Sequence, residues 1–158
     1  MPSVRTLSYA LAVSVVLAAA VLSGGRIAIG QQPNPADEER LKKLDAGSKT
    51  IDVAAYPAEQ QKAYRVFLAK CSTCHVVARG INTDMALPGE WERYIKRMMY
   101  KPNAGISSDE GKTLYRFLVY DGTVRKTDSL KKRLSGLPAA EQAPAVEKLK
   151  AINPSFNP

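Results

Sequence analysis

Two cysteines and one histidine, the whole of the chain's complement of either residue, fall within five consecutive positions: Cys71-Ser72-Thr73-Cys74-His75. This crowding constrains the chain more than any other feature. No disulfide network can form, and any nucleophilic pair that needs an imidazole must use His75 itself. A Cys-x-x-Cys pair can be a thiol redox centre, but that reading wants a βαβ setting, and the residues around it carry a helical pattern. It can also be half of a structural zinc site, but zinc wants four ligands and only three Cys or His exist here. An exported chain, argued below, would not keep a free dithiol either.

The reading that uses all five positions is covalent haem attachment. Two cysteines three apart on a helical turn can each form a thioether to one vinyl group of haem c. The adjacent histidine then meets the iron. The spacing is demanding because vinyl carbons and iron sit at fixed points of one macrocycle. With a single histidine, ligation by two histidines within one chain is excluded.

The pattern around the motif is helical. Tyr64, Phe67, Leu68 and Cys71 recur at i, i+3, i+4 and i+7 and make one apolar face, with Pro57 suited to a first turn. Residues 76–87 show no helical period, and Gly80 and Asn82 favour a loop. A second helix starts at Pro88, places Trp91, Ile95 and Met98 on one face, and stops before Pro102. Ser107 and Glu110 have the Ser-x-x-Glu spacing of a capping box. The helix they open runs to about Tyr120, where Asp121-Gly122 ends it. The compact part therefore spans 56–122, a size at which hydrophobic burial alone gives little stability. A haem would serve as its core.

The flanks are polar. Residues 31–55 read as a linker with at most a short helical turn. Residues 123–158 form a basic extension, with Arg125, Lys126, Lys131, Lys132 and Arg133 in one run. Pro144 argues against a single long helix there, and 145–152 is its helical portion. The extension is expected to pack loosely, or to serve as a docking or membrane-surface segment.

The N-terminus reads as a targeting segment. Arg5 precedes an apolar stretch, Leu7 to Leu22, and Ala28 and Gly30 are small residues spaced for signal-peptidase cleavage. The stretch is shorter than the ~20 residues of a spanning helix. Residues 1–30 are thus a cleaved signal peptide, with an uncleaved anchor as the alternative. The remainder is exported, to the periplasm, soluble or tethered to the membrane. Of the 23 Lys and Arg, two lie within 1–30, so the rest carries a formal +6 against 15 Asp and Glu. Such charge suits acidic partner surfaces or an anionic membrane. Nucleic acid is disfavoured by export and by the lack of any binding motif.

The segment from Tyr56 to Gly122 resembles the class I c-type cytochrome family, on CSTCH at 71–75, Tyr64 and Phe67 before it, and Phe117-Leu118 in the last helix. The resemblance implies an all-α fold: a small helical domain wrapped around one covalently attached haem, with less ordered N- and C-terminal extensions. It implies thioethers to Cys71 and Cys74, His75 as proximal iron ligand and a methionine as sixth ligand. Trp91 and Met98 match the W-x6-M pattern of a subgroup whose methionine binds iron. Met98 is therefore favoured, with Met99 and Met85 as alternatives. Any of the three could instead be core filling. Trp91 is a candidate contact at the haem edge or a propionate, or a packing residue at the haem rim. Lys96, Arg97 and Lys101 frame the site as a docking rim or are a solvated face. The sequence departs from the family in one respect: many members carry Gly-Pro soon after the histidine, and here Ala78-Arg79-Gly80-Ile81 follows. Which carbonyl orients His75 is open.

The expected function is electron transfer by a His/Met-ligated monohaem cytochrome, with protein donor and acceptor as partners and no enzymatic activity. The alternatives are a haem subunit of a larger membrane or dehydrogenase complex, or a gas-binding or peroxidatic haem protein. Peroxidase chemistry is weakened by the lack of a second histidine.

Overall fold

The computed structural model describes residues 34–158, and the signal or anchor expected over 1–30 lies outside them. Everything described is helix, turn or coil, so the all-α expectation holds among the described residues. Seven helices follow in order: α1 Pro35–Ala46, α2 Ala58–Cys71, α3 Ala78–Asn82, α4 Pro88–Met99, α5 Ser108–Arg125, α6 Thr127–Ser135 and α7 Ala139–Ile152. Residues 35–158 form one compact unit. No described helix is long and apolar enough to cross a membrane.

The centre is the packing of α2 on α5. Tyr64 and Phe67 of α2 meet Phe117 of α5 with ring centroids 5.4 Å away in both cases. Offset and tilted rings at this spacing add attraction beyond their buried area. Leu114, Leu118 and Val119 complete the α5 face, and Trp91 and Ile95 bring in α4. The capping box is present: Ser107 Oγ accepts from the Glu110 amide at 3.3 Å and Glu110 Oε2 accepts from the Ser107 amide at 2.9 Å. α4 opens on Pro88, and Glu90 Oε2 accepts from the amides of Ala86 and Leu87, both at 3.0 Å. At α5 the box thus pairs the first-turn N–H of Glu110, and at α4 Glu90 reaches back to the amides of the two residues that precede the helix.

In four places the chain is more ordered than its pattern suggests. Residues 35–46 form three turns of helix where a linker with a short helical turn is expected. Residues 78–82 form one turn inside the expected loop, with Ala78 and Ile81 buried. One turn is too short to show a period. α5 passes through Asp121-Gly122 to Arg125. Gly122 is buried there beside Ala86, whose carbonyl oxygen a Cβ would meet at an ordinary contact distance of 3.4 Å. Asp121 is held in the core, accepting from Tyr56 Oη at 2.9 Å and from Arg125 Nε at 2.6 Å.

The C-terminal extension is the fourth difference. It is not a loose tail: α6 and α7 pack on each other and on α5, and α7 also packs on α4. Leu130 and Leu149 are fully buried, with Leu134 and Phe156 beside them in the same core. Pro144 lies inside α7, which begins well before 145. A mid-helix proline costs a hydrogen bond and a steric clash. Burial of Leu149 and the packing of Ala145, Val146 and Ile152 against the core outweigh that cost.

Candidate functional site

α2 delivers Cys71 as its last helical residue. The next turn is rounded off by side chains: Thr73 Oγ1 donates to the Ala69 carbonyl at 3.3 Å, and the Ser72 amide donates to Leu68 at 3.4 Å. Carbonyls at the helix end that would otherwise be unpaired are used in this way. The turn leaves Cys71 half-buried and Cys74 exposed. His75 follows half-buried, and its Nδ1 lies 3.1 Å from the Val76 carbonyl oxygen. With the proton on Nδ1, the imidazole donates to that oxygen and Nε2 keeps its lone pair for a metal. The carbonyl that meets the His75 ring is thus that of the very next residue, Val76.

These three side chains line a cleft of about 590 Å³. This lies within the usual ~300–1,000 Å³ of a ligand site. A second wall comes from α4, through Tyr94, Arg97 and Met98, and a third from Pro102, Ala104 and Ile106. Leu41 of α1 also reaches the cleft.

Of the described methionines, Met98 alone lines this cleft. Met99 turns toward α5, where a Cβ placed on Gly111 would lie 2.6 Å from its Sδ, and it lines a different hollow with Ile95 and Tyr115. Met85 packs against the core ahead of α4, and its carbonyl accepts from Lys126 Nζ at 3.4 Å.

Trp91 does not line the cleft, although it shares a helical face with Met98. Seven residues of helix are about 10.5 Å of rise, which puts Trp91 in the core while Met98 stands at the other end of α4. Trp91 is 1% exposed, its indole N–H has no partner among the described residues, and Lys126 Nζ lies 5.4 Å over its ring. What Trp91 touches in the cleft wall is Tyr94, edge-on, with centroids 5.9 Å apart. Tyr94 is a cleft residue that sequence reasoning missed. The signal was there, since Tyr94 lies one turn before Met98 on the same face.

The electrostatics are one-sided. Among the described residues Lys70, Arg79, Arg97 and Lys101 line the cleft, and no Asp or Glu does. Lys70 pairs with Glu110 at 3.0 Å and Arg79 with Asp45. Arg97 lies 5.5 Å over the Tyr94 ring. Lys96, by contrast, is absent from the cleft and pairs with Glu92 at 2.8 Å. Burial pushes the Cys71 thiol up to about 12 and raises the Tyr94 phenol. A thiol held protonated is a poor nucleophile for disulfide exchange. Among the described residues no three His, Cys, Asp or Glu side chains are grouped to hold a metal ion.

The side chains on this one cleft are therefore two thiols, one imidazole and one thioether, the set that covalent attachment and ligation of a haem c would use. The chain matches no protein-family model, no curated protein and no solved structure.

Proposed function

We propose that this chain is a monohaem c-type cytochrome of the class I kind, exported, that passes single electrons between protein partners. The observation that carries the reading is the convergence of Cys71, Cys74, His75 and Met98 on one cleft of about 590 Å³. Cys71 and Cys74 would hold the haem through thioethers, with His75 and Met98 as iron ligands. When bound, the haem supplies a one-electron ferric/ferrous couple, whose potential a thioether ligand raises.

The chain's own groups have distinct tasks. The Val76 carbonyl holds His75 in one tautomer. Tyr94, Pro102, Ala104 and Ile106 supply apolar wall and exclude water. Arg97 and Lys101 give the cleft mouth positive charge, which favours donor and acceptor proteins with acidic surfaces and speeds encounter at low salt. Among the described residues no carboxylate on the cleft wall opposes that charge.

The test is the oxidised visible spectrum of wild type and Met98→Ala, both produced with a haem-attachment system. A far-red thioether-to-ferric-iron band in wild type and its loss in the variant are expected. A band in both moves the ligand to Met85 or Met99. Wild type without covalently attached haem overturns the proposal.

A further inference from the structure

α1 is the part of the cleft wall for which the sequence pattern offers no reason. It buries none of its residues, and its main helical neighbour is the single turn of α3. A short charged helix with so little apolar contact has no hydrophobic ground for staying in place. Polar bonds hold its C-terminal end. Arg79 grips Asp45 with two nitrogens, Nε donating to Oδ1 at 2.9 Å and Nη2 bonding Oδ2. Asn82 Nδ2 donates to the carbonyls of Leu44 at 3.0 Å and Ser48 at 2.9 Å. Between those carbonyls sits Gly47, where a Cβ would come within 2.4 Å of the Asn82 amide, so only glycine allows the approach. Arg79 and Asn82 both belong to α3, the helix that follows His75. Leu41 lies one turn before Asp45, on the same helix face. The grip on Asp45 thereby sets Leu41 into the cleft that His75 lines.

We propose that α1 is a cover for the cleft: Leu41 is a contact for the bound tetrapyrrole, and Arg79 and Asn82 are positioning residues that keep it there. The inference rests on the functional reading above. Its consequence is a dependence of the haem potential on polar bonds made away from the iron. The ferric state carries one more positive charge than the ferrous state, so water admitted beside the haem favours it and lowers the potential.

The experiment uses the full exported holoprotein as wild type, Leu41→Ser, Asp45→Asn and Arg79→Gln. Two readouts are taken: the reduction potential, and amide hydrogen exchange over residues 35–46. Charge alone would shift the two ion-pair variants in opposite directions. Losing the Asp45 carboxylate would raise the potential, and losing the Arg79 cation would lower it. A cover predicts that all three variants lower it. It also predicts exchange in α1 that is about five-fold faster in Asp45→Asn and Arg79→Gln, as expected for the loss of one well-formed ion pair. A potential that rises in Asp45→Asn, or one unchanged in Leu41→Ser, overturns the cover. So does unaltered exchange. Wild type that isolates without covalent haem overturns the functional reading and the cover with it, and is told apart from these outcomes by the absence of a haem spectrum.

Discussion

Leu149→Ala separates a packed C-terminal extension from a loose one. Leu149 is 0% exposed and sits where α7 closes on the core. Truncation removes three side-chain carbons, about 2.4 kcal/mol at ~0.8 kcal/mol per buried methylene. The hole adds to this, because α7 is held on several sides and cannot collapse inward freely. The total is about 3 kcal/mol, within the range for fully buried leucines. For a folded unit of this size that is a fall in Tm of about 10–15 °C. The assay is thermal unfolding of the haem-loaded protein followed by far-ultraviolet circular dichroism, with Glu141→Ala on the exposed side of α7 as the control. A shift of less than about 2 °C would refute the reasoning, since it is what truncation in a loosely attached tail would give.

Three further outcomes are expected. Asp121→Ala leaves Arg125 and Tyr56 without their shared acceptor and should cost about 3 kcal/mol in denaturant unfolding, as for a broken buried pair; a cost under about 1 kcal/mol would show that water replaces the carboxylate. Burial is the first cause that lowers the Lys126 ammonium, to about 8. Its folded value thus lies below its unfolded one, the unfolded chain binds more protons between the two, and stability rises with pH through that window at up to about 1.4 kcal/mol per pH unit. Lys126→Met should remove this rise, and an unchanged pH profile in the variant would count against a buried ammonium over Trp91. Sodium chloride at about 0.5 M should slow electron exchange with an acidic partner protein by about ten-fold or more, and Arg97→Gln/Lys101→Gln should flatten that salt dependence; equal slopes in wild type and variant would remove the cleft mouth from docking.

How far the site was legible differs from residue to residue. That Cys71, Cys74 and His75 share one cleft could be read because five consecutive positions leave little freedom to separate them. Met98 could be favoured over Met99 because neighbouring helix positions differ by about 100°, and the structure places Met98 on the cleft and Met99 against Gly111. Trp91 shows the limit of that reasoning. Periodicity reports which side of a helix a residue faces, and it is silent on how far along the axis a cleft extends. Trp91 lies two turns from Met98 and backs Tyr94 from the core. The basic rim divides for a similar reason, since Lys96 turns to Glu92 while Arg97 and Lys101 stay on the cleft.

The sequence by itself determined the helical class, the capping box of α5, the apolar faces of α2 and α4, and the three adjacent donors of the candidate site. Each of these rests on interactions between residues close along the chain, whose geometry the backbone sets locally. Only the tertiary structure decided that Leu41 of α1 reaches the cleft, that α6 and α7 close the core, and that the helix through Pro144 survives. In all three the deciding partner is remote in sequence: Arg79 and Asn82 for α1, α5 for α6, and α4 and α5 for α7. Free energy from such contacts can exceed local propensity, and polar or proline-bearing segments give no periodic sign of it.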